Sequence, residues 1–400
     1  MPPAASGPRR GLAAADVAAA LADLLPGPGR PKSVPLLDAA GRIPAEDVTA
    51  PFALPPFPVA RVDGYAVAGT APGRVFTVAS RAAPGDPPPA PLRDGEACFV
   101  MTGAPLPPGA AGVVPREAAD ESDPGRVRLG GAPVPAVAPG ARIAEGEVLA
   151  RSGVPLTAEA VGRLAECGLG GIRAHPRPRV DLLAVGSELR DPGDPAPPGP
   201  VPPHYNSNAY VLAALVRTAG GLPRVLPPVP DDPGPIAAAL GGLRSDLIVT
   251  TGGTARGLHD HTAAAARDAG FDVVIEDLAV RPARTARVAV RKGRVLICLP
   301  GSPGAVTGLF TLLVGPALRQ LAGAADLGPH WRRARLAAPV AEPRPEPVLS
   351  HAVLTLGEGT FQVRVERRPG NGFALLPAGD KPLPAGTRVP VLWGEGAVPD

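Results

Sequence analysis

Three short segments in the second half of the chain carry residue types that could hold a phosphorylated ligand. They are Gly186-Ser187-Glu188, then Thr251-Gly252-Gly253-Thr254-Ala255-Arg256-Gly257 running into His259-Asp260-His261, then Leu299-Pro300-Gly301-Ser302-Pro303-Gly304. Glycine lets backbone N–H groups come close to an anion, and a helix N-terminus just beyond favours negative charge. Each segment alone is ordinary turn chemistry; three at the same edge of one sheet are a stronger signal. Glu188 and Asp260 add hard oxygen ligands of the kind Mg2+ takes beside a phosphate. The same carboxylates would also serve as solvated loop charges or helix caps. His259 and His261 have a spacing open to a transition metal, but no third histidine or cysteine lies nearby in sequence, so a surface role or a phosphate contact is the better reading. There is no GxxxxGK[ST] loop, no GxSxG elbow and no GxGxxG after the first strand of this region. In the first half, Arg61-Val62-Asp63-Gly64 and Met101-Thr102-Gly103 read locally as polar turns at strand ends.

The three segments need a frame that brings them together. Apolar runs at Arg179–Val185, Pro223–Leu226, Asp246–Thr251, Phe271–Leu278, Ala286–Val290 and Arg294–Leu299 predict strands. Helices are predicted over Asn206–Ala219, Asp232–Gly241, about 260–269 and about 305–321. Alternation of this kind gives a mostly parallel sheet covered on both faces, and ligands then sit beyond the carboxyl ends of its strands. The proline-rich segment 189–205 must be a long surface loop. Before this region, short runs separated by Gly-Pro turns over 61–139 predict a small all-β unit. Residues 11–25 predict a short helix, and another is expected over about 157–167, capped by Thr157. Residues 51–58, with four prolines, cannot form a central strand. After about 328, short strands return.

Composition sets the limits. Four hundred residues imply two to four domains. The 50 glycines and 57 prolines approach low-complexity territory, yet 45% hydrophobic and only 19% charged residues argue for packed cores. Only three of the 40 basic residues are lysines (Lys32, Lys292 and Lys381), which points to a GC-rich genome. A net charge of +3 gives no basic stripe, so nucleic acid is not implied. Cys98, Cys167 and Cys298 are odd in number and widely spaced, as in a chain of reduced, buried thiols. Asp16 and Asp23 interrupt the apolar start, so it is no signal peptide. The uncharged run Val295–Leu318 is broken at Pro300–Gly304, leaving a helix expected to be too short for a bilayer. A soluble cytoplasmic chain is the expectation.

Taken together, the segments resemble the molybdopterin molybdenumtransferase (MoeA / gephyrin E-domain) family. The resemblance runs in order through Leu36–Val48, Asp63-Gly64-Tyr65-Ala66, Met101-Thr102-Gly103-Ala104-Pro105, Gly186-Ser187-Glu188-Leu189, Asn206-Ser207-Asn208 and Asp231-Asp232-Pro233. It continues through Thr251-Gly252-Gly253, Gly257-Leu258-His259-Asp260, Leu299-Pro300-Gly301-Ser302-Pro303 and Asn371-Gly372-Phe373. It implies a multidomain α/β plus β fold: a split linker domain (1–60 with 140–176), an inserted small β domain (61–139), an α/β molybdopterin-binding domain (177–328) and a C-terminal β-barrel (329–400). It also implies a homodimer with the active cleft between subunits, Mg2+-dependent hydrolysis of adenylylated molybdopterin, insertion of molybdate, and release of AMP. A molybdopterin adenylyltransferase and apo-molybdoenzymes become candidate partners. By position, Glu188 and Asp260 match the residues that hold the divalent cation. Asp63, Thr102 and Asp231 match active-cleft residues. Gly252, Gly253, Pro300, Gly301, Ser302 and Pro303 match the pterin-phosphate cradle. Arg281 and Arg284 stand where the family carries Lys-Pro-Gly-Lys, and arginine forks can hold a tetrahedral oxyanion.

The chain departs from the family pattern elsewhere. Asp277 replaces a lysine, Arg142 replaces the acid of a Gly-Glu-Asp turn, Asn206-Ser207-Asn208 replaces Asp-Thr-Asn, and Ser302 replaces an asparagine. Asp277 and Arg142 would be a compensating charge swap if they shared the cleft. The alternative to an active insertase is a molybdopterin-binding paralogue that carries or delivers the cofactor. A CinA-type nucleotide pyrophosphatase is set aside, because that family lacks the first-half and C-terminal segments.

Overall fold

The computed structural model describes residues 7–69, 72–195, 202–254, 261–357 and 360–394. At its centre is a six-stranded sheet in the order Leu222–Val225, Arg179–Ala184, Leu247–Thr251, Arg294–Leu299, Arg287–Arg291, Asp272–Ile275. The first four strands are mutually parallel and the last two antiparallel. Both faces are covered, which explains why the strands read as unbroken apolar runs. Val180, Leu182, Leu247, Val249, Val295 and Ile297 enter one core, and Leu183, Ile248, Leu296 and Cys298 the other. Alternate side chains of a strand point to opposite faces, so a sheet buried on both sides is apolar at nearly every position, with Asp181 a buried exception paired to Arg224.

Helices Ser207–Thr218 and Pro303–Leu309 lie over the first face, and Pro233–Gly242 and His261–Asp268 over the second. Their starts are chemically marked. Asn206 Oδ1 accepts from Ala209 N at 3.3 Å, and Asp232 Oδ1 accepts from Gly234 N at 3.0 Å. The helix that begins at Pro303 differs from expectation. The Pro300–Gly304 segment does not shorten it, and it runs 20 residues from Pro303 to Ala322, long and apolar enough to cross a membrane by length and composition. Val306, Leu309, Phe310, Leu313 and Leu318 are instead buried against the sheet, as befits a core helix.

The N-terminal segment also sits where the sequence reading did not put it. The family resemblance implies a linker domain over 1–60 with 140–176, yet Ala14, Val17, Ala20, Leu21 and Leu25 belong to the central core. Arg9 N donates to Val274 O at 3.0 Å and Gly11 N to Asp277 Oδ1 at 2.7 Å, so the segment also lies along the edge strand of the sheet. An Ala-rich helix this short has a narrow apolar stripe and is marginal alone; the large neighbouring core stabilises it.

A separate core joins Val34, Ala39, Ala50, Ile143, Leu149, Leu164 and Ile172, bringing the 34–50 and 143–172 segments together. Between them in sequence, a six-stranded sheet runs in the order Gly112–Pro115, Gly64–Val67, Glu96–Val100, Val75–Ala82, Arg126–Leu129, Ala119–Asp120. Strands Arg332–Leu336, Val348–Gly357, Thr360–Val365, Gly372–Leu376 and Arg388–Trp393 close into a barrel. Closure removes exposed sheet edges. One long loop of the barrel is fixed by Arg344, only 4% exposed, which donates to the carbonyls of Pro377, Glu342 and Lys381.

Leu21 is fully buried between the N-terminal helix and the sheet-covering helices. Leu21→Ala is expected to destabilise the central unit by about 2–4 kcal/mol, read by chemical denaturation. A loss below about 1 kcal/mol would show that this helix is not part of the core.

Candidate functional site

The first strand of the central sheet, Arg179–Ala184, is followed in sequence by a neighbour on one side (Leu222–Val225) and then by a neighbour on the other (Leu247–Thr251). The chain therefore leaves the carboxyl ends of adjacent strands in opposite directions, which opens a crevice there. A cleft of about 720 Å³ occupies this place. Val185, Gly186, Glu188, Asp231, Thr251, Gly252, Gly253, Thr254, Pro300, Gly301 and Pro303 line it. All three segments singled out in the sequence thus meet at one edge.

The glycines are set by close backbone approach. Gly252 has φ +93°, and a Cβ there would stand 2.2 Å from Val185 O. Gly253 has φ +66°, and its Cβ would stand 2.3 Å from Thr262 Oγ1. Gly252 N donates to Leu299 O at 3.0 Å, Val185 N to Thr251 O at 2.8 Å, and Thr262 Oγ1 to Gly252 O at 3.2 Å. The loops after three parallel strands are therefore tied to each other by main-chain bonds. Ser302 caps no N–H with its side chain at the start of the Pro303 helix.

The carboxylates face this floor. Both Glu188 oxygens lie within 3 Å of where a Gly186 Cβ would be, so the side chain folds back over the loop. Asp231 Oδ1 lies 3.3 Å from the corresponding point on Gly253, and Asp231 N donates to Ser187 Oγ at 3.3 Å. Two carboxylates and no thiol suit a hard divalent cation, which keeps several waters and takes one or two carboxylates plus phosphate oxygens. Among the described residues no group of three His, Cys, Asp or Glu side chains forms a metal cage. Asp260 and His259 lie outside the described residues, and His261 opens the helix His261–Asp268.

The wall opposite was not anticipated. The pair Leu189–Arg190 and His204–Tyr205 closes the long loop into a two-stranded flap, and His204, Tyr205, Asn206 and Asn208 line the cleft. Asn206 is 2% exposed, and its Nδ2 has no hydrogen-bond partner. The cap bond to Ala209 N fixes Oδ1 inward to the helix, so the amide nitrogen is the free end. A buried donor left unpaired costs about 1–3 kcal/mol, so it fits a site whose ligand supplies an acceptor. Asn208 Nδ2 donates to Gly301 O at 2.8 Å and locks flap to floor. Capping chemistry at Asn206 was legible in the sequence; its orphaned donor was not.

The other expected residues lie apart from the cleft lining. Arg281 precedes and Arg284 lies within the short turn Ala283–Thr285, whose Thr285 lines the cleft and meets Thr254 Oγ1 at 3.3 Å. Arg281 Nε and one Arg284 nitrogen bind the two oxygens of Glu346, a barrel residue no local pattern could have indicated. Asp63 and Thr102 pair in the inserted β unit, where Thr102 N and Oγ1 donate to Asp63 Oδ1 at 2.6 and 2.7 Å. These bonds, the backbone one foremost, hold the Asp63 carboxyl below its ordinary pKa. Within one chain the two residues of the expected charge swap do not pair: Asp277 accepts from Gly11 N, while Arg142 pairs with Glu166. Each charge has its own local partner on a different unit, so the two do not compensate each other there.

Sequence comparison agrees with this architecture. Residues 13–168 match the MoeA N-terminal region (domain I and II), and residues 182–320 match a probable molybdopterin binding domain. The chain is 33% identical over 347 residues to molybdopterin molybdenumtransferase 2 of Mycobacterium tuberculosis, covering 83% of this chain and 85% of the relative. The chain belongs to the molybdopterin molybdenumtransferase (MoeA) family. These are transferases of molybdenum cofactor biosynthesis. A family member from Staphylococcus aureus is 27% identical over 91% of both chains. The solved MoeA protein of Pyrococcus horikoshii superposes with a TM-score of 0.80 at 25% identity, covering 96% of this chain and 99% of that one. The MoeA fold therefore extends across all the units described above.

Two outcomes follow from the geometry. Gly252→Ala puts a methyl against Val185 O at a positive φ and is expected to lower stability by about 1–3 kcal/mol by thermal unfolding while loosening the cleft floor. Asp63 has a folded pKa below its unfolded value, so its contribution to stability is complete above about pH 4 and fades as pH falls through the lower folded value. Thr102→Val removes the hydroxyl donor and keeps the N–H. Carboxyl NMR titration should then show the Asp63 pKa rising towards the ordinary range without reaching it.

Proposed function

We propose that the chain is an insertase that takes adenylylated molybdopterin and molybdate and releases AMP and molybdenum cofactor. The observation that carries this reading is the cleft at the switch point, where glycine backbones, two carboxylates and an unpaired buried amide donor face one space in a member of this family. The backbone of Gly252, Gly253 and Gly301 can approach the ligand phosphates because no Cβ intervenes. Asn206 Nδ2 offers a fixed donor to a pterin carbonyl or phosphate oxygen. Hydrolysis adds water across the phosphoanhydride, giving AMP and the free pterin phosphate.

Glu188 and Asp260 would hold Mg2+, which would screen the anhydride charge and stabilise AMP as it leaves. Asp231, beside Gly253, stands where it can position water or the cation's hydration shell. Arg281 and Arg284 supply the guanidinium forks for molybdate. Asp63 and Thr102 lie outside the cleft lining of their own chain, which favours a homodimer in which they serve the cleft of the other copy. A cytoplasmic protein receiving its substrate from a molybdopterin adenylyltransferase, and handing product to apo-molybdoenzymes, fits this chemistry.

One observation favours a second reading, a carrier that binds molybdopterin without turnover. Glu346 already occupies both guanidinium forks, so the pair carries one net positive charge rather than two. Chromatography of AMP release separates the readings. Molybdate-dependent AMP release that drops at least 100-fold in Glu188→Gln and in Asp260→Asn supports the insertase. Tight pterin binding with no AMP above the enzyme-free control supports the carrier. For the dimer, mixing inactive Asp63→Ala and Glu188→Gln chains should restore part of the activity, and no recovery would place both residues in one chain's site.

A further inference from the structure

The helix Ser207–Thr218 starts inside the cleft, where Tyr205, Asn206, Ser207 and Asn208 form one wall. The first turn of a helix leaves N–H groups without intrahelical acceptors, and the aligned peptides give that end about half a positive charge. One of these groups, Ala209 N, is capped by Asn206 Oδ1 at 3.3 Å. Ser207 N and Asn208 N meet no acceptor among the described residues. Asn206 has one group left to give. Its backbone N donates to Arg190 O at 2.8 Å, and its Oδ1 serves the cap. Nδ2 stays unpaired in a residue that is 2% exposed. The chain has three asparagines, and the other two behave differently: Asn208 Nδ2 donates to Gly301 O at 2.8 Å and Asn371 Nδ2 to Leu354 O at 2.9 Å.

A lone buried donor suits a neutral carbonyl or an anionic oxygen, and its surroundings decide between them. Asn206 Nδ2 and the N–H groups of the next two residues stand together at the positive end of a helix, a set that favours negative charge. The rest of the cleft gives an anion little other help. No lysine or arginine is among its described lining residues, and the opposite wall carries the carboxylates of Glu188 and Asp231. Neutral donors and the helix end must therefore do the holding on this side. The helix start is also fixed against the floor, because Asn208 bonds Gly301 O.

We propose that the start of the helix Ser207–Thr218 is a seat for one phosphoryl group, held by Asn206 Nδ2 and the N–H groups of Ser207 and Asn208, and separate from the glycine floor of Gly252, Gly253 and Gly301. The seat deepens the insertase reading and rests on it for the identity of the ligand. There the group is one of the two phosphates of the anhydride, and after hydrolysis it is a phosphate monoester, of AMP or of the pterin. Seat and floor adjoin through the Asn208–Gly301 bond, so a ligand with two phosphates spans both. Asn206 is then a specificity-determining residue. Aspartate would cap the helix equally well, but it has no donor and would repel the anion.

The test uses the full chain, with inorganic pyrophosphate and AMP as probes, in isothermal titration calorimetry with and without Mg2+. Asn206→Ser and Asn206→Asp both keep a capping oxygen, so each variant should unfold at close to the wild-type temperature. Losing a hydrogen bond to a charged group should weaken binding about tenfold in Asn206→Ser. In Asn206→Asp a carboxylate also faces the anion, and the loss should reach roughly 100-fold. Wild-type affinity in both variants overturns the proposal, as does the absence of binding of either probe to wild type at millimolar concentration. Side-chain amide NMR on chain carrying isotope-labelled asparagine reads the donor itself. The NH2 pair that vanishes in Asn206→Ser is expected to move downfield as probe is added, while the Asn371 pair stays in place. A shift confined to the Asn208 pair would put the anion on the floor and overturn the seat. AMP with the same variant pattern assigns the seat to the nucleotide phosphate, and a pattern seen with pyrophosphate alone assigns it to the phosphate on the pterin side; either supports it. The two readings fail separately. Probe binding with this variant pattern, but no AMP released from adenylylated molybdopterin, keeps the seat and removes the insertase. Molybdate-dependent AMP release with probe affinity unchanged in both variants keeps the insertase and removes the seat.

Discussion

Main-chain contact at the switch point governs the central unit. Val185 O and the Gly252 backbone approach so closely that even a methyl group cannot stand between them. Leu299 O receives Gly252 N–H, and a Cβ on Gly301 would stand 3.4 Å from Gly252 Cα. Three strand ends are thereby held in one plane, with no side chain in the middle. The cleft exists because bulk is absent there, and the flap carrying Asn206 and Asn208 closes onto the space left over. Asn208 then bonds Gly301 O, so the flap is referenced to the same backbone knot. Positive φ at two successive glycines is a local cost that the surrounding sheet must support.

That sheet can support it because both its faces are packed. Residues alternating between two cores leave strands with little freedom to slip, since a one-residue shift would exchange every partner. The N-terminal helix extends one of those cores, and residues 9–12 run along the outer strand. The edge far from the switch point is thus covered by chain from the other end of the sequence. This also accounts for Asp277. Its carboxylate accepts the Gly11 N–H, a packing function with no need of the cleft.

The sequence was informative wherever local chemistry decides structure. Apolar runs marked the central strands, Thr157 and Asn206 marked helix starts, and glycine-rich segments marked the cleft floor. It was least informative where distant segments meet. Nothing near Arg281 or Arg284 announces Glu346, more than sixty residues on. Residues 11–25 read only as a short amphipathic helix, because their partners, such as Leu318 and Phe310, are far along the chain. The Pro303 helix looked short because Pro300–Gly304 reads as a break, whereas Pro303 stands at its first turn, where a missing N–H costs nothing.

Electrostatics divide the molecule into arginines with carboxylate partners and arginines without. Arg224 shows the first kind in its strongest form, both nitrogens binding the fully buried Asp181 on the neighbouring strand at 2.7 and 2.9 Å. Removing a carboxylate from water is costly, and a two-point fork is the geometry that repays it best. Arg281 and Arg284 are intermediate: Glu346 holds them, yet at 60% and 45% exposure their forks stay open to solvent and to a competing oxyanion. A tetrahedral dianion and a carboxylate present similar paired oxygens, so exchange between them needs little rearrangement. Glu346 belongs to the segment that joins the barrel to the Arg281 backbone, through Arg281 N to Pro347 O and Leu349 N to Arg281 O. Any anion that displaces Glu346 must therefore pull on the contact between barrel and central sheet. The Arg281 and Arg284 guanidinium groups and the domain junction are one mechanical unit in this chain.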